Sequence, residues 1–266
     1  MMATVKRSAV RLALAGILGL LPGLACAAGV VNGTCAVDDQ VPVQERAQYQ
    51  RAAIAYVDAL SRGDTASLRA AATAEMWQDV PAEEIDASLE MTAKLVGELS
   101  MAHVVHSYRL AVQRFGNGET GIFPCRSSPR SSLKSEEERV LVSVRSAPVQ
   151  AYVVVEASGN GATWVFTLWL VPNGEKWQVL SAHVGVANLP GQAPEKLLTL
   201  ARRERDAGRN LNARLLYSGA AGLWYRGPNL SLGEHSVAVA EMQSIPPVPP
   251  FDTAPPWQIR AGDRTI

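Results

Sequence analysis

The sequence predicts an α+β protein: N-terminal helices packed on a curved antiparallel sheet, followed by a C-terminal helical hairpin. Three observations point there. Apolar residues recur at helical spacing from residue 44 to about residue 99, and the pattern switches to alternation from residue 103. Asparagine-glycine turns divide the middle of the chain into short β-rich runs. Helical spacing returns after Pro194.

The chain opens with an export signal over residues 1–27. Lys6, Arg7 and Arg11 supply a positive start, and Leu12 to Leu21 is an uncharged run. Pro22 and Gly23 break it, and Ala25-Cys26-Ala27 gives the small residues a signal peptidase cuts. The run is shorter than the roughly 20 residues a membrane-spanning helix needs. Cys26 carries a second reading, cleavage as a lipoprotein just before a lipidated cysteine. The expected address is periplasmic or secreted.

Composition narrows the partners. The signal takes three of the 25 basic residues and none of the 25 acidic ones, leaving a mature chain at −3. Such a surface has no electrostatic footprint for nucleic acid. Beyond Cys26, Cys35 and Cys125 form an even pair. In an oxidising compartment that pair reads as one structural disulfide. The loop is long enough for the bond to contribute about 4–5 kcal/mol through the entropy of the unfolded chain.

An N-terminal extension, residues 28–43, precedes the folded elements. Residues 44–62 form an amphipathic helix on Ala53, Tyr56, Val57 and Leu60. Gly63 ends it and Asp64 caps a second helix through about Met76. Pro81 starts a third, with Glu83, Glu84 and Asp86 at its positive end and Leu89, Ala93, Val96 and Leu99 as its stripe. The first strand holds Val104, Tyr108, Leu110 and Val112. Asn117-Gly118 is a turn, and residues 126–138 are a serine-rich loop with Pro129. Strands follow at 140–144, 150–156, 162–171 and 176–186. Residues 162–171 are apolar at both parities, so that strand is central and covered on both sides. Pro194 starts a helix to Gly208, and a partner helix spans 211–225. Residues 229–245 fit helix or strand, and the prolines from Pro246 to Pro256 make an extended tail.

Ala55-Tyr56-Val57-Asp58-Ala59-Leu60 through Gly63-Asp64, and the closing hairpin Trp164 to His183 with Gly174-Glu175-Lys176-Trp177-Gln178-Val179, resemble the nuclear-transport-factor-2-like superfamily over residues 44–187. The serine-rich insert and the long third helix depart from the compact family form. The resemblance implies a sheet wrapped as a cone around an apolar pocket, a scaffold that hosts isomerases, dehydratases, cyclases and non-catalytic binding domains. Gly208, Ala213, Tyr217 and Ala220 resemble half of a tetratricopeptide unit, with no second copy. The expected division is a cone-like domain at 44–187, a helical hairpin at 188–228 and a proline-rich tail at 229–266.

The family's enzymes place an aspartate or histidine inside the cone. His183 shares parity with Trp177, Val179 and Ser181 and is the candidate base, with Glu156 as its companion. Tyr152, Trp164, Trp177 and His183 are the expected pocket lining. His103 and His106 have opposite parity, so at most one faces inward. No His-Glu-x-x-His, Gly-x-Ser-x-Gly, P-loop or Cys-x-x-Cys pattern occurs. Nothing in the pattern calls for a cofactor or a metal. The leading expectation is a non-catalytic binding or interaction module of the bacterial envelope, taking an apolar small molecule or an envelope protein. Two rivals stand beside it: a lyase or isomerase using the cone, and an inhibitor or immunity-type partner of another envelope protein. The sequence leaves the oligomeric state open.

Overall fold

The computed structural model describes residues 32–78, 80–114, 121–126, 139–145, 149–246, 260–261 and 264–265. Residues 1–31, which include the expected export signal and Cys26, the Asn117-Gly118 turn, the serine-rich loop beyond residue 126 and residues 247–259 of the proline-rich tail lie outside the described residues.

The protein is α+β, as the period change predicts. The main sheet is fully antiparallel, in the order β1 (Asn32–Val37), β2 (Ser100–Arg114), β5 (Gln150–Gly159), β6 (Ala162–Asn173), β7 (Lys176–Asn188). A smaller sheet runs β3 (Gly121–Arg126), β4 (Arg139–Val144), β8 (Leu230–Leu232). Three helices precede β2: α1 (Val43–Ser61), α2 (Thr65–Ala71) and α3 (Ala82–Val96). Three follow β7: α4 (Pro194–Asp206), α5 (Asn210–Trp224) and α6 (Gly233–Gln243). None of the helices among the described residues is long and apolar enough to cross a membrane.

Local chemistry fixes the ends. Gly63 takes φ +64°, a conformation that costs glycine little, and the Asp64 side chain accepts from Ser67 N at 3.0 Å to cap α2. The α2 helix stops at Ala71 instead of running to Met76. Thr73 N there donates to Val179 O at 2.9 Å, so the chain leaves the helix to bond the edge of β7. Pro81 is the cap of α3 and Ala82 its first helical residue. Asn160-Gly161 joins β5 to β6 with φ +40° and +73°, the doubly positive pair of a type I′ turn.

The β6 strand is central and buried from Trp164 to Leu170, as its two apolar parities require. On one face, Trp164, Phe166, Leu168 and Leu170 pack with Val153, Val155 and Val179 beneath Tyr49, Ala53, Tyr56, Val57 and Leu60 of α1. On the other, Tyr152, Val154, Val165 and Trp169 pack against Val140, Val142, Val144, Cys125 and Leu230 of the small sheet. The second face is therefore covered mainly by strands. The helical hairpin keeps its own core, where Ala213, Tyr217 and Ala220 pack on Leu198, Ala201 and Ala238. Residues 230–243, within the segment expected as tail, supply β8 and α6, so helix and strand are both present in the stretch that fits either. Helix α6 is the neighbour that lets the hairpin bury its apolar side. Tyr217 donates to Glu241 Oε2 at 2.7 Å, and Arg202 reaches the same carboxylate at 2.6 Å.

Cys35 and Cys125 stand at disulfide distance, with Cα atoms 5.6 Å apart. The bond ties β1, an edge of the main sheet, to β3 of the small one.

Candidate functional site

The residues expected to share one pocket are divided between the two sheet faces. Trp164 and Trp177 belong to the helix-covered core and its margin. Tyr152 lies in the opposite core, stacked on Trp169 at 5.3 Å, with its hydroxyl donating to Ser143 O at 2.9 Å. Its phenol is held far above the usual tyrosine range by burial. His183 pairs with Thr167 across β6 and β7, on the face of Trp169 and Val165.

The physical reason is a bulge. Leu170 is opposite Val179 and Trp169 is opposite Ser181, so Leu180 is an extra residue on β7. One extra residue inverts every side chain beyond it. Trp177 and Val179 therefore face the helices, and Ser181 and His183 face away, although all four are odd-numbered. A second irregularity on β2 does the same. His103 is opposite Glu156 and His106 is opposite Val154, so the two histidines share a face instead of opposing each other.

Around His183 the polar groups are concentrated. The loop after α5 crosses this face, and a side chain on Gly227 would collide with the His183 ring. The His183 ring meets Tyr225 edge-on at 5.1 Å, and Tyr225 meets His235 of α6 at 5.7 Å. Arg226, only 8 % exposed, donates to Leu223 O at 2.7 Å. Burial, and then the Arg226 charge, hold His183 below the usual histidine range, and the same two causes act on His235. Glu156 lies opposite Val165, with β6 between it and β7. Strand spacing and rise then place the Glu156 and His183 Cα atoms about 12 Å apart, and among the described residues the two make no hydrogen bond. Among the described residues no three His, Cys, Asp or Glu side chains stand together as metal ligands would.

Near the N-terminal edge, Asp38 takes φ +46° and its carboxylate accepts from Ser107 N at 2.8 Å and meets His106 Nδ1 at 3.4 Å. Burial opposes that charge, but the bonds from His106 and Ser107 outweigh it and hold the carboxyl below its usual range. This cluster fastens the start of α1 to β2. Ser107 is fully buried, so it offers no nucleophile to a ligand.

Three cavities open among the described residues. One, about 490 Å³, is an open and mostly polar hollow beside the Asn160-Gly161 turn and Asn188 to Gly191. One, about 430 Å³, lies over Trp169 and Leu180, where Arg145 and Glu75 already pair at 2.7 Å. The third, about 360 Å³, is mostly apolar and opens between α1, the end of α2 and the β6–β7 turn. Its wall is the half-buried indole of Trp177, held edge-on by Tyr49 at 5.3 Å. Ala52 and Ala55 on α1 and Ala70 and Ala71 on α2 line it with methyl groups, beside the longer side chains of Gln48 and Gln178. Small side chains opposite a large one leave the space unfilled. Arg51 and Lys176 stand at its rim with no bonded partner among the described residues. The sequence signal for this site was available: Gln48, Arg51, Ala52 and Ala55 form one helical stripe that is too small and too polar to be core.

Compared with protein-family models, curated proteins and solved structures, the chain finds no match.

Proposed function

We propose that the mature chain is a non-catalytic binding module of an extracytoplasmic compartment, built on a nuclear-transport-factor-2-like scaffold, and that it contacts its ligand at the Trp177 cavity. The observation that carries this reading is the cavity itself, with a fixed indole wall, a methyl-lined floor and a volume suited to a small molecule. The export signal and the paired Cys35 and Cys125 support the compartment. The interior speaks for binding over catalysis. Trp164 is 7 % exposed, packed beneath α1, and its indole N–H donates to Gly159 O at 2.7 Å. Packed this way, Trp164 fills the interior at its own position, which supports the binding reading.

The lyase or isomerase reading keeps one observation in its favour, the buried His183 Nε2, which has no hydrogen-bond partner among the described residues. Glu156 makes no hydrogen bond with it among the described residues.

Native mass spectrometry of the mature protein from the extracytoplasmic fraction tests the proposal. The expected result is a retained small molecule whose occupancy falls in Trp177→Ala and persists in His183→Gln. Retention that depends on His183 and ignores Trp177 would overturn it. So would a stoichiometric protein partner held equally by both variants, which is what the inhibitor reading expects.

A further inference from the structure

The cavity's rim says what class of ligand it takes. Arg51 is on α1 and Lys176 starts β7, so the two cations come from separate elements and reach the same opening. Neither charged end has an acceptor among the described residues. Glu175 is the carboxylate of that rim, which leaves the opening with an excess of one positive charge. This excess sits on a mature chain whose total charge is −3. Beside these charges the lining is mostly apolar, made by the Trp177 indole and the methyls of Ala52, Ala55, Ala70 and Ala71, with Gln48 and Gln178 among them.

An apolar body below two cations is complementary to a molecule with an apolar body and an anionic head. A neutral apolar molecule would leave both cations unused, and a small polar anion would leave the indole wall unused. A long peptide fits poorly, because the opening is bounded on three sides by α1, α2 and the β6–β7 turn. We propose that the Trp177 cavity binds small amphipathic carboxylates, the apolar chain or ring lying against Trp177 and the carboxylate meeting Arg51 and Lys176. This rests on the binding-module reading and adds the ligand's chemical class to it.

The geometry also separates the two parts of the affinity. The apolar contact depends on Trp177 and on the space left by Ala55. The charge contact depends on Arg51 and Lys176, which are exposed, so their removal leaves the fold intact. Exposed ion pairs are worth little singly. Two together should change affinity by about tenfold, and that part should weaken as salt rises.

The test uses the mature protein labelled with ¹⁵N-tryptophan, titrated with decanoate and, separately, with decanol. The Trp177 indole resonance should move saturably with decanoate and about tenfold more weakly with decanol. Arg51→Ala/Lys176→Ala should bring decanoate down to the decanol level and leave decanol unchanged. Ala55→Trp, which fills the cavity, should abolish both. Equal affinity for the two probes, or decanoate binding untouched by the double substitution, would overturn the carboxylate class and leave an apolar site standing. A Trp177 resonance that neither probe moves would overturn the cavity as a site. A small molecule retained in native mass spectrometry would then still support the binding reading, at another place.

Discussion

The two faces of the main sheet are built from the same five strands and behave as different materials. The helix-covered face is mostly apolar, and it carries the cavity at Trp177, where small residues face a large one. The strand-covered face mixes an apolar half, under the disulfide-tied small sheet, with a polar half where His183, Tyr225, Arg226 and His235 meet. The difference teaches where function can reside. Residues that fill a core are fixed by packing, whereas a void beside cations with no bonded partner among the described residues is not needed by the fold and is free to serve a ligand. Of those four residues the polar half has only Arg226 buried, with His183 and His235 half-buried and Tyr225 exposed, and the 225–228 loop crosses it, which suits it to holding the C-terminal helices.

The contrast can be broken from the core outward. Phe166→Ala should have the largest effect. The side chain is 1 % exposed in the helix-face core, and removing it should cost about 3–5 kcal/mol, read as a shift in the urea midpoint. A much smaller cost would mean that this face is loosely packed and that the interior has room for a substrate. Next comes the disulfide. Cys35→Ser with Cys125→Ser opens a bond across a separation of 90 residues and should cost about 2–5 kcal/mol. The loss should fall on the strand-covered face, which hydrogen exchange in β3 and β4 would show.

The C-terminal unit should respond less. The Tyr217 hydroxyl, pushed up to about 12 by burial and by Glu241, donates to that carboxylate and accepts from Arg205. Tyr217→Phe should cost about 1–2 kcal/mol in thermal unfolding. No change would mean that α6 is held by apolar contact alone.

The smallest effect concerns pH. Burial, and then the Arg226 charge, hold the folded-state pKa values of His183 and His235 below the ordinary histidine value of 6.5. Above that value both states are neutral at these positions, and the histidines cost nothing. As pH falls through 6.5, the unfolded chain takes up protons first, so stability declines until the folded-state values are passed. Glu156, Glu234 and Glu195 act on Arg226 in the opposite sense. His183→Gln should flatten the acid side of the stability profile, and an unchanged slope would remove His183 as its source.

Much of the fold was legible because local and global preferences agree. The α1 stripe, the Asp64 cap, the Asn160-Gly161 turn and the doubly apolar β6 each follow from the spacing or chemistry of a few residues. The two faces were not separable from spacing. Parity counting assumes an unbroken two-residue period, and the extra Leu180 places His183 on the opposite face from Trp177. Sequence also gave no sign that β8 and α6 would complete two separate units, since the residues before Pro246 fit either period. Trp177 was legible as a candidate cavity residue, but the neighbours that line the cavity with it were not, because alanines on two helices become a cavity only when the helices are placed.

Hydrogen–deuterium exchange of the mature protein with and without decanoate tests the central claim most directly, since it compares both faces in one experiment. Added protection should appear around residues 48–55, 70–73 and 174–178, with none at 181–185 or 225–235. Protection centred on His183 and the 225–235 segment, with the Trp177 surroundings unchanged, would contradict the account and move the binding site to the other face.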